Sequence, residues 1–178
     1  MPPGILSATG FRTRIQVPGA ADEKAFLDAM CASVGLHYPW VTAPKDHAAW
    51  KRYLARIERD NEAGFLLRHI DNDVICGVIN LNIITYEALC SAYISYFGVA
   101  GQTERGYMKE GLLQVINYAF DELDLHRLEA NIQPQNLASI ALVKSVDFQY
   151  EGYSPRYLRI NGEWCDHERW ALLNDASK

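Results

Sequence analysis

Apolar positions recur along this chain with two periods, and the switches between them mark out its elements. Arg12 through Val17 alternate polar and apolar residues and stop at Pro18-Gly19, which predicts a first strand. Asp22 then stands where it can cap a helix carrying Ala25, Phe26, Ala29 and Met30 on one face. An aromatic stretch broken by a proline follows, from His37 to Val41. A second amphipathic helix places Trp50, Tyr53, Leu54 and Ile57 on one stripe. The period then falls to two. Phe65 to Ile70 predicts a strand, Asp71-Asn72-Asp73 a turn, and Val74 to Ile84 a longer strand. Gly77 inside that strand marks a bulge or a close backbone approach. Ala92 to Gly98 predicts another strand, and the residues before Arg12, weakly patterned, are expected to be loose.

The most regular stretch comes next. Met108, Leu112, Val115, Ile116, Ala119, Phe120 and Leu123 fall on one face of a helix expected over 104–123. Arg127 to Gln133 predicts a strand, and Asn136 to Val146 a shorter helix with Asn136 at its cap. Glu151–Ile160 and Cys165–Leu173 read as a hairpin turned by Asn161-Gly162. Strand 92–98, helix 104–123 and strand 127–133 make a βαβ unit, whose crossover should be right-handed. Antiparallel hairpins flank it. The expected fold class is therefore α/β of the mixed, α+β kind, with a central, mostly antiparallel sheet holding one parallel pair and helices on both faces.

With 178 residues and no internal repeat or linker, the chain is expected to form one domain over 1–178. Apolar residues at 49% and charged residues at 22% set disorder and fibrous structure aside. Seventeen Lys+Arg against 22 Asp+Glu, a net charge of −5, argues against broad attraction to nucleic acid or anionic lipid. Met1-Pro2-Pro3-Gly4 lacks a signal peptide's charged and apolar regions, and no apolar run is long enough to span a bilayer. Cys31, Cys76, Cys90 and Cys165 are scattered, without a C-x-x-C pair, and read as reduced thiols that mostly fill the core. A cytoplasmic location is expected.

Three clusters carry candidate chemistry. Gly101 to Met108 (GQTERGYM) joins a strand to the long helix, where unpaired backbone N–H groups and the positive end of the helix dipole suit a phosphate. Gly106 allows close approach and Arg105 can pair with a phosphate oxygen, although a lone glycine at a helix start is also ordinary turn geometry. Asn131 to Ser139 (NIQPQNLAS) ends a strand at a proline and opens a helix. Asn136 and Ser139 there serve either as a plain cap or as polar groups turned into the gap beside the strand. In Asn161 to His167 (NGEWCDH), the neighbours Asp166 and His167 point to opposite faces of a strand, so a shared metal or catalytic dyad is not expected. The other histidines, His37, His47, His69 and His126, show no metal spacing. No G-x-S-x-G elbow, P-loop or G-x-G-x-x-G fingerprint occurs.

Arg105 to Glu110 (RGYMKE), Ala119 to Ala130 (AFDELDLHRLEA), Asn136 to Ser139 (NLAS), Asp147 to Gly152 (DFQYEG), Asn161 to Trp164 (NGEW) and Asp166-His167 share their order and spacing with a known family. Over roughly residues 65–173 the chain resembles the GNAT acetyltransferase superfamily, in its RimJ/RimL-like ribosomal-protein N-acetyltransferase branch. That resemblance implies a single domain in which strands 92–98 and 127–133 splay apart and hold the pantetheine arm of acetyl-CoA. It implies cofactor contacts from Phe97, Gly98 and Val99, from Glu104, Arg105, Gly106, Tyr107 and Met108 at the pyrophosphate, and from Asn131 and Asn136. Ser139 matches a hydroxyl suited to protonating the departing CoA thiolate, and a backbone N–H near Phe97–Val99 would hold the oxyanion. Glu104 stands where the family commonly has a glycine, and Asp147 replaces another before Phe148.

The implied activity is acetyl transfer from acetyl-CoA to a primary amine, without a metal, most simply the N-terminal amine of a ribosomal protein. A small amine (a polyamine, amino acid or antibiotic) is the alternative acceptor, and an inert CoA-binding module the alternative class, favoured by Glu104. No nucleic acid or membrane partner is expected, and a homodimer stays open. The amine must lose a proton, and Tyr93, Tyr96, Glu87 and His69 are the groups considered as its base. The aromatic segment at 37–40, Trp50 and the terminal hairpin are candidates for the acceptor side.

Overall fold

The computed structural model describes residues 5–6 and 10–174, with side chains from residue 10 onward. Most of the opening stretch expected to be loose, including Met1-Pro2-Pro3-Gly4, lies outside the described residues. The strands are β1 (Ile5–Leu6), β2 (Thr13–Gln16), β3 (Ala63–His69), β4 (Ile75–Thr85), β5 (Ser91–Gly98), β6 (Arg127–Ile132), β7 (Gln149–Ile160) and β8 (Glu163–Leu173). The helices are α1 (Glu23–Ala32), α2 (Val34–His37), α3 (His47–Ile57), α4 (Tyr107–Asn117) and α5 (Leu137–Lys144). The strands form one mixed sheet in the order β1-β2-β3-β4-β5-β6-β8-β7. Among the described residues only β5 and β6 run parallel, and the other neighbouring pairs are antiparallel.

Alternation along the central strands splits the interior into two layers. Phe65, Leu67, Ile79 and Leu81 face one side with Leu112 and Val115 of α4 and Ile140 and Val143 of α5. Leu66 and Val78 face the other, against Phe26 and Met30 of α1 and Trp50 and Tyr53 of α3. Burial on both faces explains why β3 and most of β4 lack the polar alternation of a one-sided strand. Trp50 is thus core, packed on Phe26 with ring centroids 4.5 Å apart, and is not a lining residue of the acceptor side.

Several local expectations change in detail. Asp46 caps α3 through the Ala49 N–H at 2.8 Å, but Asp22 makes no such bond to α1. Its carboxylate accepts from the Gly19 N–H and from the buried Arg68, tying the chain before α1 to β3. The long helix begins at Tyr107 and widens into a π-helical turn over Tyr118–Glu122. Gly77 meets both readings offered for it. The β3–β4 register shifts beside it, and a Cβ there would lie 2.2 Å from the Met108 sulfur. Of the four free cysteines only Cys76 is buried, so the thiols are mostly not core filler. Asn161 (φ +51°) and Gly162 (φ +91°) turn the β7–β8 hairpin as expected.

Candidate active site

The site forms where β5 and β6 part. The two strands pair only at Ser91–Arg127, Ala92–Leu128 and Tyr93–Glu129. Beyond that point β5 keeps β4 and β6 keeps β8, and among the described residues neither has a partner across the gap. Open backbone N–H and C=O groups along one strand edge are ready partners for an extended, amide-bearing chain.

Two adjoining cavities occupy the gap and share Trp40, Val41, Tyr96, Phe97, Asn136 and Ser139 as walls. The larger, about 450 Å³, runs along Gly98 and the start of α4 to Asn136, Ala138 and Leu142 on α5. The smaller, about 220 Å³, lies between β5, β6 and the hairpin, with Asn131, Gln133, Leu158, Ile160 and His167 in its wall.

The larger cavity ends at a helix N-terminus prepared for an anion. Gly106 is the N-cap of α4 with φ +81°, a left-handed conformation, and no side chain caps the helix. The first N–H groups of the helix therefore stay available at the positive end of its dipole. Arg12 fixes the loop from outside. Its backbone N–H and Nε donate to the two Glu110 carboxylate oxygens at 2.9 and 2.8 Å, and its Nη2 donates to the Arg105 carbonyl at 2.8 Å. Thr13 Oγ1 donates to Glu110 as well, at 3.0 Å.

A protein-family model described as the GNAT acetyltransferase domain matches residues 12–149. The chain belongs to the GNAT acetyltransferase family. Membership makes it an N-acetyltransferase, and its relatives differ in the amines named for them. The Bacillus subtilis protein named "Probable N-acetyltransferase YjcK" is 38% identical over 122 residues, 68% of this chain and 67% of that protein. The Escherichia coli [Ribosomal protein uS5]-alanine N-acetyltransferase is 31% identical over 129 residues, 70% of this chain and 66% of its own length. The chain thus spans about two thirds of the length of these curated relatives. Among solved structures, Mycobacterium smegmatis RimJ in complex with CoA-disulfide superposes with a TM-score of 0.84. It is 24% identical, over 92% of this chain and 82% of that one. Vibrio cholerae spermidine N-acetyltransferase in complex with CoA and spermine gives 0.77 at 18% identity, over 91% and 95% of the two chains.

In this GNAT domain most of the residues singled out from the sequence come together. Phe97, Gly98, Glu104, Gly106, Tyr107, Met108, Asn136 and Ser139 line the larger cavity, and Asn131 the smaller one. Val99 and Arg105 do not line either. Val99 is buried with the α1–α3 layer and its N–H donates to the Cys76 carbonyl at 3.1 Å, so it is not an oxyanion donor. Arg105 is exposed, and its carbonyl is the acceptor for Arg12. Glu104 is exposed at φ +60°, the left-handed geometry that a glycine would take without strain. It forms no ion pair with Arg105.

Asn136 caps α5, its Oδ1 accepting from the Ser139 N–H at 3.2 Å, and it also faces both cavities. The two roles offered for it coexist. Tyr96 donates its hydroxyl to the Ser139 carbonyl at 3.2 Å, and burial pushes that hydroxyl up to about 12. It is protonated at neutral pH and is a donor there, not a base. His69 packs edge-on against Tyr107, and neither it nor Glu87 or Tyr93 lines a cavity.

Sequence reasoning passed over the closures made between distant segments. His37 donates from Nε2 to the Gly98 carbonyl at 2.8 Å and sets its ring edge-on to Phe97. Asn161, at the hairpin tip, accepts from Thr42 Oγ1 at 2.7 Å and donates to the Pro39 carbonyl at 3.0 Å. These bonds hold the 37–42 segment over the gap, with Trp40 in the wall of both cavities. The aromatic run and the Asn-Gly turn were visible in the sequence; their meeting was not.

Proposed function

We propose that the chain acts as a single acetyltransferase domain that moves an acetyl group from acetyl-CoA to the N-terminal amine of a protein, with ribosomal proteins the first class to test. The observation that carries the proposal is the parting of β5 and β6 just after Tyr93 and Glu129, opposite the uncapped start of α4. The residues fit acetyl-CoA. The open edge of β5 suits the pantetheine amides, the N–H groups from Gly106 onward suit the pyrophosphate, and the left-handed backbone at Gly106 that presents them is one a side chain would strain. Asn136 and Ser139 then stand on the far wall, near the sulfur. When bound, acetyl-CoA supplies a thioester carbonyl activated toward amines.

The amine enters from the smaller cavity, whose wall includes Trp40, Leu158 and Ile160. Among the described residues no carboxylate lines it. A polyamine brings further ammonium groups that need such partners when desolvated, whereas a chain N-terminus brings one. The E. coli relative, named for an alanine of ribosomal protein uS5, supports the same acceptor class. Among the described residues no group of His, Cys, Asp and Glu is placed to hold a metal ion, and no helix is long and apolar enough to cross a membrane. A cytoplasmic site of action supplies both acetyl-CoA and new protein N-termini. A free-thiol release assay across ribosomal N-terminal peptides, polyamines and aminoglycosides tests the proposal. Turnover with peptides is expected; turnover with polyamines or aminoglycosides alone would move the acceptor class, and no turnover with any of them would sink acetyl transfer.

A further inference from the structure

His167 is a buried imidazole in the wall of the acceptor cavity, 3% exposed. It sits on β8 opposite Ser154 of β7, on the face away from Asp166. Asp166 is occupied elsewhere, by the Tyr153 hydroxyl and the Arg156 N–H. The His167 Nδ1 lies 3.0 Å from the Cys165 carbonyl. A carbonyl only accepts, so Nδ1 carries the proton in the neutral ring and Nε2 keeps the lone pair. Among the described residues, Nε2 has no hydrogen-bond partner. In the same wall, the Asn131 Oδ1 is buried and unpartnered, an acceptor lacking a donor.

We infer that His167 is the base that takes the proton from the acceptor ammonium, with Asn131 Oδ1 holding the amine by one of its remaining N–H groups; this rests on the acetyl-transfer reading above. Elimination supports it. The titratable side chains in the smaller cavity's wall are Tyr96 and His167. Tyr96 is already protonated at neutral pH and can only donate. Around the imidazole, Tyr157 of β7 meets it edge-on at 6.1 Å, and Asp166 adjoins it along the strand on the other face. Arg169, two residues on, acts on Glu151. Burial lowers the His167 pKa below the usual imidazole value, with the Cys165 carbonyl and Asp166 opposing in part, so the ring is neutral and able to accept at pH 7.

The proton balance closes without a further reactant. The ammonium gives one proton to Nε2, and the freed nitrogen pair forms the C–N bond to the thioester carbon. The carbonyl π pair moves onto oxygen, then returns as the C–S bond breaks and its electrons leave on sulfur. The thiolate takes the amine's second proton, directly or through Ser139, leaving one N–H on the amide. His167 then returns its proton to water. A weak base also bears on the acceptor: an α-ammonium near 7.7–8.0 passes its proton to imidazole far less uphill than a lysine-like ammonium near 10.4. His167 therefore suits an N-terminus over an alkylamine.

The test is the pH dependence of kcat/KM for wild type and His167→Gln on one accepted peptide, beside acetyl-CoA affinity by calorimetry. Wild type should show an acidic limb, and the variant should lose about a hundredfold at pH 7, the lower end for general-base catalysis. Its profile should lose the His167 titration and follow only the peptide's α-ammonium, near 7.7–8.0, while its acetyl-CoA affinity is unchanged. Nitrogen-15 NMR of the wild-type imidazoles gives a readout independent of turnover and of any variant's folding. It should show the Nδ1–H tautomer for His167 and a titration midpoint below the ordinary imidazole range. A variant with an unaltered pH profile, or a His167 held as the Nε2–H tautomer, would overturn the role while leaving acetyl transfer standing. A wild type that acetylates no amine would instead remove the reading beneath it.

Discussion

The two halves of the gap are built by different means. The cofactor half is a strand, a loop and a helix in unbroken succession, from β5 through Gly106 into α4, with α5 closing it soon afterwards. The acceptor half is assembled from pieces that meet only in space: Trp40, Asn131 and the β7–β8 hairpin. Its tip bonds span 119 and 122 residues of sequence. Local geometry follows from local sequence, so the first half can be read along the chain. The second depends on long-range closure and cannot. The variants below weight the two halves differently.

The largest effect belongs to Gly106→Val. At φ +81° a β-branched residue is strained, and its Cβ would sit 3.3 Å from Arg12 Nη2. Relief requires the loop to move off the phosphate site. If about 1–3 kcal/mol of such strain is relieved at the expense of binding, acetyl-CoA affinity falls roughly ten- to a hundredfold. Calorimetry should show that loss with the circular-dichroism spectrum retained. Unchanged affinity would mean that the phosphates lie elsewhere.

Ser139→Ala comes second and separates chemistry from binding. General-acid help is worth about 10²–10⁴-fold, but a CoA thiolate already leaves readily. The Tyr96 hydroxyl, hydrogen-bonded to the Ser139 carbonyl and protonated at neutral pH, is a second donor nearby. A fall in kcat of about tenfold is therefore expected, with acetyl-CoA affinity held. Lost affinity with normal kcat would make Ser139 a positioning residue.

Asn161→Gly tests the long-range closure that completes the acceptor half. Glycine keeps the left-handed turn at φ +51° and deletes the bonds to Thr42 and Pro39. Two partly solvated hydrogen bonds are worth about 0.5–1.5 kcal/mol each, so the 37–42 segment should loosen. The KM for the acceptor peptide should rise severalfold while acetyl-CoA affinity stays put. A matching loss of cofactor affinity would show that the halves are one mechanical unit.

The sequence carried the order of elements because periodicity is strong in α4 and in the central strands. It carried the cofactor wall because Gly106, Asn136 and Ser139 sit at element ends, where residue type reports backbone need. It missed the Arg12–Glu110 clasp, whose partners are 98 positions apart. It named His167 only beside Asp166, as a dyad set aside, since a buried histidine and a surface one look alike in a strand. Val99 misled for a related reason: its burial against the α1–α3 layer and the bond from its N–H to the Cys76 carbonyl are long-range facts that its place after β5 does not reveal.

The smallest effect, and the one that returns to the cofactor half, is expected for Glu104→Gly. The residue departs from the family's usual glycine, yet its backbone keeps the glycine's geometry at φ +60°. A left-handed non-glycine residue costs about 1–2 kcal/mol, so relief should raise the melting temperature by a few degrees. The charge acts separately. An exposed carboxylate beside the phosphate loop repels pyrophosphate, but water and salt screen such pairs within about 10 Å. Removing it should tighten acetyl-CoA by about two- to threefold, a gain that shrinks as salt is added. Glu104→Gln separates the two contributions, since it drops the charge and keeps the strain. Its affinity should match the glycine variant while its melting temperature stays near wild type. If both variants bind acetyl-CoA as wild type does at low salt, the carboxylate points away from the phosphates, and Glu104 is a strained surface residue that leaves the cofactor site untouched.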